Sequence, residues 1–272
     1  MIIQTAPENV PNQVILQTDH AAMSGQFAAA FGNVNFMPLA PRAPMVYVAA
    51  HHDDGWTAID ALVEQNAQTG LPHHLTQTPL PYLVETSSGS PAANEAYHPY
   101  SGILSSMHTY GLFNGRYGLS DKVFIDLIPA EHKASVQTML DAELMRQERL
   151  KSELREDAET AVWVTDEMLF HNYKLLQFFD TLALYFHTTY YRNRGETHFL
   201  NVPRAVGEDV TLTIKRIQLD VYTLDPYPFK QPTMAFTYTS KPMLPQPAGT
   251  NLKALLAETE AVVEEVVIVK ES

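Results

Sequence analysis

The segment VAAHHDDGW, residues 48–56, places two histidines and two aspartates directly after a run of apolar residues. Imidazole nitrogens and carboxylate oxygens are common ligands of divalent cations, and imidazole also transfers protons near neutral pH. A solvated polar loop would have the same composition. The two interpretations differ in one respect, which is whether other parts of the chain supply further donors of the same kind.

Such donors occur at three further positions, each beside apolar residues. Asp180 lies in FFDTLALYF, His20 precedes two alanines, and His108 follows a methionine. An unpaired buried carboxylate costs several kcal/mol, so Asp180 needs either a cation or a hydrogen bond from a neighbouring hydroxyl or arginine. Facing helices of a bundle often build metal sites from such side chains. The predicted metal ligands are His20, His52, Asp53, His108 and Asp180.

The other polar residues near these ligands have predicted roles beside the metal rather than as its main ligands. We predict that His51 supports a ligand carboxylate and that Asp54 orients or deprotonates a water molecule, which makes them the candidate catalytic residues. His98 lies ten residues before His108 and therefore on a different helical face, so it is a weaker candidate ligand. His187 lies seven residues after Asp180, on nearly the same face, and either borders the pocket or belongs to the core.

Composition limits the metal and the partners. The chain has no cysteine, so a metal must bind to nitrogen and oxygen, which suits one or two divalent ions of Fe, Mn, Co, Ni, Zn or Mg. With 18 basic and 31 acidic residues, the net charge of −13 argues against a nucleic-acid partner. There is no signal-peptide pattern and no apolar run long enough to span a membrane. We therefore expect a cytoplasmic protein with a small-molecule substrate, and a homodimer is left open.

Hydrophobic periodicity predicts a mainly α fold, a helical bundle with a small C-terminal antiparallel β appendage. Residues 1–195 would form the helical metal-binding core, and residues 196–272 a β-rich appendage with a C-terminal helix, packed together as one compact unit. Residues 66–101, rich in Pro, Gly, Ser, Thr and Asn, are predicted to be a long loop or a string of turns. Gly55 is predicted to end the helix that leads to the doublet. The predicted helices cover parts of 14–31, 44–54, 100–113, 131–160 and 166–195.

The order of a lone histidine, a His-Asp doublet and a distant aspartate on an apolar helix resembles the HD-domain superfamily of metal-dependent enzymes. The matching residues are His20, His52 with Asp53, and Asp180. More narrowly, QTDHAAMSGQFA, HDDGW, FFDTLALYF and TLDPYPF resemble an uncharacterised bacterial family of HD-like proteins, over about residues 14–230. The resemblance implies an HD-like helical fold with one or two metal ions and no established substrate. Many HD phosphohydrolases have Lys or His shortly after the doublet, whereas this chain has Asp54, Gly55 and Trp56, so phosphate recognition is left open.

Three functions are compatible with these residues. The preferred one is hydrolysis of a small phosphorylated substrate by a metal-activated water. The second is a non-haem diiron oxygenase for a small, partly apolar substrate, favoured by His108 as a fifth ligand and by aromatic residues near Asp180 that would shape a pocket. The third is a non-catalytic metal-binding module. The basic residues nearest the motifs, as candidates to hold phosphate, are Arg116, Lys122, Lys174 and Arg192. The aromatic residues near Asp180 are Phe178, Phe179, Tyr185 and Phe186.

Overall fold

The computed structural model describes residues 1–271 and contains seven helices of at least two turns within that range. Shorter helical turns occur at Thr57–Asp60 and Ala158–Ala161. The helices are α1 (Gln17–Ala30), α2 (Arg42–His51), α3 (Leu80–Tyr97), α4 (Pro99–Phe113), α5 (Ala130–Arg155), α6 (Asp166–Thr188) and α7 (Leu252–Glu258).

The strands form one seven-stranded sheet in the order β1-β2-β6-β7-β5-β4-β3. Neighbouring strands are antiparallel except β5 and β7, which are parallel. Alternating buried and exposed side chains along β6 show that one face of this strand packs on the core. The strands are β1 (Ile2–Gln4), β2 (Asn12–Ile15), β3 (Thr197–Ala205), β4 (Glu208–Gln218), β5 (Val221–Asp225), β6 (Thr233–Met243) and β7 (Val262–Val269).

The predicted fold class, a mainly α bundle with a small antiparallel β appendage, is wrong. The protein is about 52% helical and 21% strand, and its curled sheet is mixed. Strand β2 near the N-terminus pairs with β6, so that Asn12 lies opposite Met243, and β7 inserts between β6 and β5. These pairings join distant parts of the chain. Alternation within one segment predicts a strand but does not identify its partner, and β1 and β2 are too short to be recognised by alternation.

The predicted loop over residues 66–101 is also wrong, because most of its second half forms helix α3. This helix is rich in serine, glycine and alanine, whose small side chains allow close packing. A Cβ atom at Gly55 would lie only 2.4 Å from the carbonyl oxygen of Thr86 in α3. Gly55 therefore permits this close approach within a short 3-10 turn, whereas helix α2 already ends at His51.

Helices α1 and α6 form the centre of the molecule between the other helices and the sheet. Phe27 of α1 contacts Phe236 of β6 with 4.6 Å between ring centroids, and Phe31 of α1 contacts Phe179 of α6 at 5.5 Å. These aromatic contacts fix α1 and α6 side by side, and α2 and α4 pack against them. Polar side chains that project between these four helices consequently meet in one buried region. Across residues 1–271, none of the helices combines the length and the apolar character needed to cross a membrane.

Candidate metal centre

The five predicted ligands converge where helices α1, α2, α4 and α6 meet. One donor atom from each of His20, His52 and Asp53 lies within 4.8 Å of the others, and the same holds for His52, His108 and Asp180. The two groups share His52 and therefore surround one region rather than two separate ones. His20 and His52 are each 1% exposed and Asp180 is 5% exposed. The side chains expected from the sequence to meet are thus brought together in the protein interior.

The distances between donor atoms suit one cation. His20 Nε2 lies 3.0 Å from Asp180 Oδ1, and His52 Nε2 lies 3.9 Å from the same oxygen and 3.6 Å from Asp53 Oδ2. Nitrogen and oxygen ligands lie about 2.0–2.2 Å from an ion such as Zn²⁺, which separates two ligands by about 3.0 Å at a right angle and about 4.2 Å on opposite sides. These three separations fall within this range, so the donor pairs have the spacing of ligands that share one ion.

His52 supplies the clearest sign that a cation belongs here. Its Nδ1 lies 3.0 Å from the carbonyl oxygen of Ala49 and donates a hydrogen bond to it. In that tautomer Nε2 carries a lone pair, and this atom is buried without a hydrogen-bond partner in the part of the chain that the structure describes. A buried polar atom without a partner is unfavourable, and a metal ion would satisfy it.

His108 is oriented by Gln177, a residue that sequence reasoning missed. His108 Nδ1 lies 2.6 Å from the side-chain amide of Gln177, whose oxygen Oε1 otherwise has no partner among residues 1–271. Exchanging the amide nitrogen and oxygen by rotation lets His108 Nδ1–H donate to Oε1. His108 Nε2 is then left free to bind a cation. Because Gln177 precedes Asp180 by three residues on one helix, helical spacing is the signal that could have identified it.

His20 is oriented by His187. The Nδ1 atoms of the two rings are 3.0 Å apart, so one of them donates to the other. If His20 Nε2 binds a cation, His20 Nδ1–H donates to Nδ1 of His187. His187 is fully buried and its ring packs at 4.5 Å from the ring of Tyr238. Each of the three histidine donors therefore has a partner on its other ring nitrogen, a typical feature of histidines that bind metals.

The charges of the cluster compensate one another. Burial alone would raise the pKa of Asp180, but the hydrogen bond from His20 and the charges of His108 and His52 lower this pKa well below its usual value. Burial raises the pKa of Asp53 and lowers that of His108 to about 3. For His52, burial opposes protonation, but Asp53 and Asp180 outweigh this effect and raise the pKa. The carboxylates thus require positive charge nearby, which either a proton on His52 or a bound cation can provide.

One side of the cluster opens into a cavity of about 810 Å³, which is the size of a small-molecule site. His52, Asp53 and His108 form part of its wall. Its lining also holds two permanent cations, the carboxylates of Asp121 and Asp126, several hydroxyl groups and a set of apolar side chains. The cations are Arg116 and Lys122; the hydroxyls include Thr86, Ser87, Ser90 and Thr109; the apolar residues include Leu75, Leu83, Leu112, Phe113, Val123, Phe124 and Leu127.

Comparison with known proteins identifies the family. A family model described as a protein of unknown function (DUF3891) matches residues 1–245, nearly the whole chain. The chain belongs to the DUF3891 family. No curated protein and no solved structure matches it. The matched residues include all five donors of the cluster, so the candidate metal centre lies within the part of the chain that defines this DUF3891 protein.

The predicted catalytic pair of the DUF3891 protein lies next to the cluster but not on the cavity wall. His51 Nδ1 is 3.0 Å from Asp54 Oδ2, and both side chains are partly exposed. The His51 ring stacks on Tyr47, which in turn stacks on Tyr97. Neither His51 nor Asp54 borders the cavity that His52 and Asp53 line. Their proposed catalytic roles remain predictions.

Several other candidates have structural contacts elsewhere. His98 accepts a hydrogen bond from the backbone of Tyr100 and caps helix α4. Lys174 forms an ion pair with Asp209. Arg192 is exposed beside Tyr191. Of the four basic residues considered as phosphate ligands, only Arg116 and Lys122 border the cavity beside the cluster.

The aromatic residues near Asp180 belong mainly to the core. Phe178, Phe179 and Phe186 are at most 3% exposed and do not line the 810 Å³ cavity. The Tyr185 hydroxyl donates a hydrogen bond to the carbonyl oxygen of Gly195. The apolar part of the cavity wall comes instead from residues around positions 75–83 and 112–127.

Proposed function

We propose that this DUF3891 protein is a metal-dependent hydrolase, of the kind found in the HD-domain superfamily, that cleaves a small phosphorylated substrate. The observation that carries the proposal is the position of the cluster on the wall of a cavity that Arg116 also borders. Buried nitrogen and oxygen donors beside a cationic side chain are the groups that phosphoryl transfer to water requires.

Five side chains would hold the ion. They are His20, His52, Asp53, His108 and Asp180, which offer three imidazole nitrogens and two carboxylates. When bound, a divalent cation at this position polarises a phosphoryl oxygen and lowers the pKa of a water molecule. The donor set contains no sulfur, which suits iron, manganese, cobalt, nickel, zinc or magnesium.

The protein's own residues would also contact the substrate. The side chain of Asp53 is the more exposed of the two cluster carboxylates, at 14% against 7% for the side chain of Asp180, and it borders the cavity. As a ligand on the cavity wall, Asp53 would hold the ion where it faces the substrate. The Ser87 hydroxyl can donate a hydrogen bond to a substrate oxygen from the same wall, whereas the Thr109 hydroxyl already donates to the carbonyl oxygen of Ser87.

A second candidate function is oxidation of a small, partly apolar substrate by iron. The specific observation in its favour is the apolar part of the lining, which includes Leu112, Phe113 and Leu127. A diiron centre would need donors for two ions, whereas the two donor groups found here share His52 and surround one region. We therefore rank hydrolysis first.

Metal analysis combined with a phosphatase assay tests the proposal. We expect the purified protein to contain about one divalent ion per chain and to hydrolyse p-nitrophenyl phosphate in a chelator-sensitive reaction. His52→Gln should lose both the metal and the activity, because it removes a donor shared by both groups. The matched control is His198→Gln, since His198 is exposed on β3.

Retention of metal by His52→Gln would contradict the assigned site. Protein that contains two irons per chain, consumes oxygen and hydrolyses no phosphate ester would instead favour the oxygenase. Metal-loaded protein without either activity would refute both functions while leaving the site itself in place.

A further inference from the structure

Residues Gly115–Gly118 form a left-handed turn beside the cavity. All four have positive φ angles, 63° at Gly115, 53° at Arg116, 55° at Tyr117 and 87° at Gly118. Glycine adopts this conformation readily, but arginine and tyrosine are strained in it. Strained residues persist where the surrounding structure holds them, and they are often found at functional sites. The turn therefore holds Arg116 and Tyr117 in a strained backbone conformation beside the cavity.

Tyr117 anchors the turn to the core. Its ring packs against Tyr173 of α6 with 5.0 Å between centroids and against Tyr110 of α4 at 5.6 Å. The backbone N–H of Ser120 donates to the carbonyl oxygen of Gly115 at 3.0 Å, which closes the turn. With Tyr117 fixed in this way, the backbone of the neighbouring Arg116 is also held in place.

Arg116 lacks the partners that comparable arginines have. Four arginines are buried or half-buried, and three of them are paired: Arg146 with Glu95 and Glu143, Arg194 with the hydroxyls of Tyr222 and Tyr238, and Arg204 with Glu208. The guanidinium of Arg116 makes no hydrogen bond and no ion pair with any residue in the range 1–271. A half-buried charge without a partner is unfavourable unless it has a ligand.

The position of Arg116 indicates what kind of ligand it would bind. It borders the 810 Å³ cavity together with His108, and it also borders a neighbouring cavity of about 280 Å³ together with Gln177. Lys122, the other cation of the larger cavity, is exposed at its rim. Arg116 is therefore the better placed cation beside the metal donors.

We propose that Arg116 binds the phosphoryl group of the substrate and that the left-handed turn 115–118 holds its guanidinium in position for this contact. The identity of the anion rests on the proposed function. A guanidinium presents paired N–H donors that match two oxygens of a phosphate, and its orientation must be fixed for both bonds to form.

Binding of inorganic phosphate tests this assignment independently of turnover. Phosphate would be titrated by calorimetry into the purified protein with its metal content recorded, for wild type, Arg116→Gln, Arg116→Lys and Lys122→Gln. Because a hydrogen bond to a charged group contributes about 1.5–3 kcal/mol, Arg116→Gln should weaken binding by about tenfold or more. Arg116→Lys should be intermediate, and Lys122→Gln should change the Kd by less than about threefold, since exposed charges contribute little.

A second pair of variants tests the turn without removing a charge. Gly118 and Gly207 both have positive φ, 87° and 77°, and a Cβ atom at either would meet no atom within 4 Å. Alanine at both positions should therefore lower the melting temperature to a similar extent. Only Gly118→Ala should weaken phosphate binding, because only Gly118 belongs to the turn that holds Arg116.

The outcomes separate this inference from the proposed function. Arg116-dependent phosphate binding by a protein that hydrolyses no phosphate ester would support the inference and refute the function. Metal-dependent hydrolysis with the same KM in wild type and Arg116→Gln would refute the inference and leave the function intact. The inference is also overturned if folded wild type binds no phosphate, if Lys122→Gln weakens binding as much as Arg116→Gln does, or if acetate binds as tightly as phosphate.

Discussion

Replacing Asp180 with asparagine removes one negative charge from the metal centre and retains the volume of the side chain. The residue is 5% exposed, and its Oδ1 lies 3.0 Å from Nε2 of His20 and 3.9 Å from Nε2 of His52. Asparagine can still accept the hydrogen bond from His20, so we expect the fold to persist. The low pKa of Asp180 means that the folded protein stabilises the ionised form, so the metal-free variant should be no more stable than metal-free wild type at neutral pH.

The expected effect on metal binding is large. Loss of a residue that only supports a metal ligand typically weakens affinity about 10–100-fold, so loss of a charged donor should weaken it by about 100-fold or more. At a metal concentration of about 100 times the wild-type Kd, binding raises the free energy of unfolding by about 2.7 kcal/mol. In a chain of this size that corresponds to a rise of about 5–10 °C in melting temperature. A 100-fold weaker variant would gain only about 0.4 kcal/mol, or about 1–2 °C.

Thermal unfolding with and without metal measures this difference. Wild type, Asp180→Asn and the control Asp141→Asn would each be melted after chelation and again after addition of the metal found in the native protein. Asp141 is exposed on α5, so its variant should respond to metal as wild type does. A metal-induced shift in Asp180→Asn equal to that of wild type would refute the assignment of Asp180 as a ligand and make it a structural residue of the core.

Three further predictions concern the histidine ligands and the residues that orient them. His187→Phe removes the group that orients His20. Metal affinity should therefore fall about 10–100-fold in a chelator competition, while saturated protein still binds the same number of ions. Unchanged affinity would show that His20 is oriented without His187. Gln177→Leu should weaken metal binding to a similar degree. Gln177→Glu should restore the affinity, because a carboxylate also accepts a hydrogen bond from His108 Nδ1–H. Equal affinities in the two variants would contradict this contact. The pKa of His108 is lowered to about 3, so below its ordinary pKa of about 6.5 the unfolded chain binds a proton that the folded chain does not. In metal-free protein the free energy of unfolding should therefore fall as the pH decreases from 6.5 towards 3. His108→Gln should reduce this slope by up to about 1.4 kcal/mol per pH unit. Denaturant titrations that give the same slope for wild type and His108→Gln would refute this prediction.

The sequence was informative about the candidate site because polar residues in apolar helices have few acceptable environments. His20, His108 and Asp180 stand out against apolar neighbours, and helical segments could be recognised around each of them. The sequence therefore predicted that these polar side chains meet in the interior of the protein. The supporting residues could not be identified as readily, because Gln177 and His187 are single polar residues whose roles depend on which helix faces them.

The sheet and helix α3 were not predicted for different physical reasons. The sheet is assembled from strands far apart in the chain, and β2 pairs with β6 across more than two hundred residues. Local patterns carry no information about such pairings. Helix α3 has a composition typical of loops, and it is stabilised by close packing against α4 and the 3-10 turn at Asp54–Trp56 rather than by intrinsic propensity. The left-handed turn that places Arg116 likewise has no signature beyond its two glycines.

The most direct test of the candidate centre is anomalous diffraction from crystals of the metal-loaded protein. The data would be recorded at the absorption edge of the metal that elemental analysis finds. We expect one peak per chain, bound by His20 Nε2, His52 Nε2 and His108 Nε2 and by carboxylate oxygens of Asp53 and Asp180, at about 2.0–2.2 Å. A peak bound instead by the His51–Asp54 pair, or metal-saturated crystals with no peak among these five side chains, would contradict the assignment.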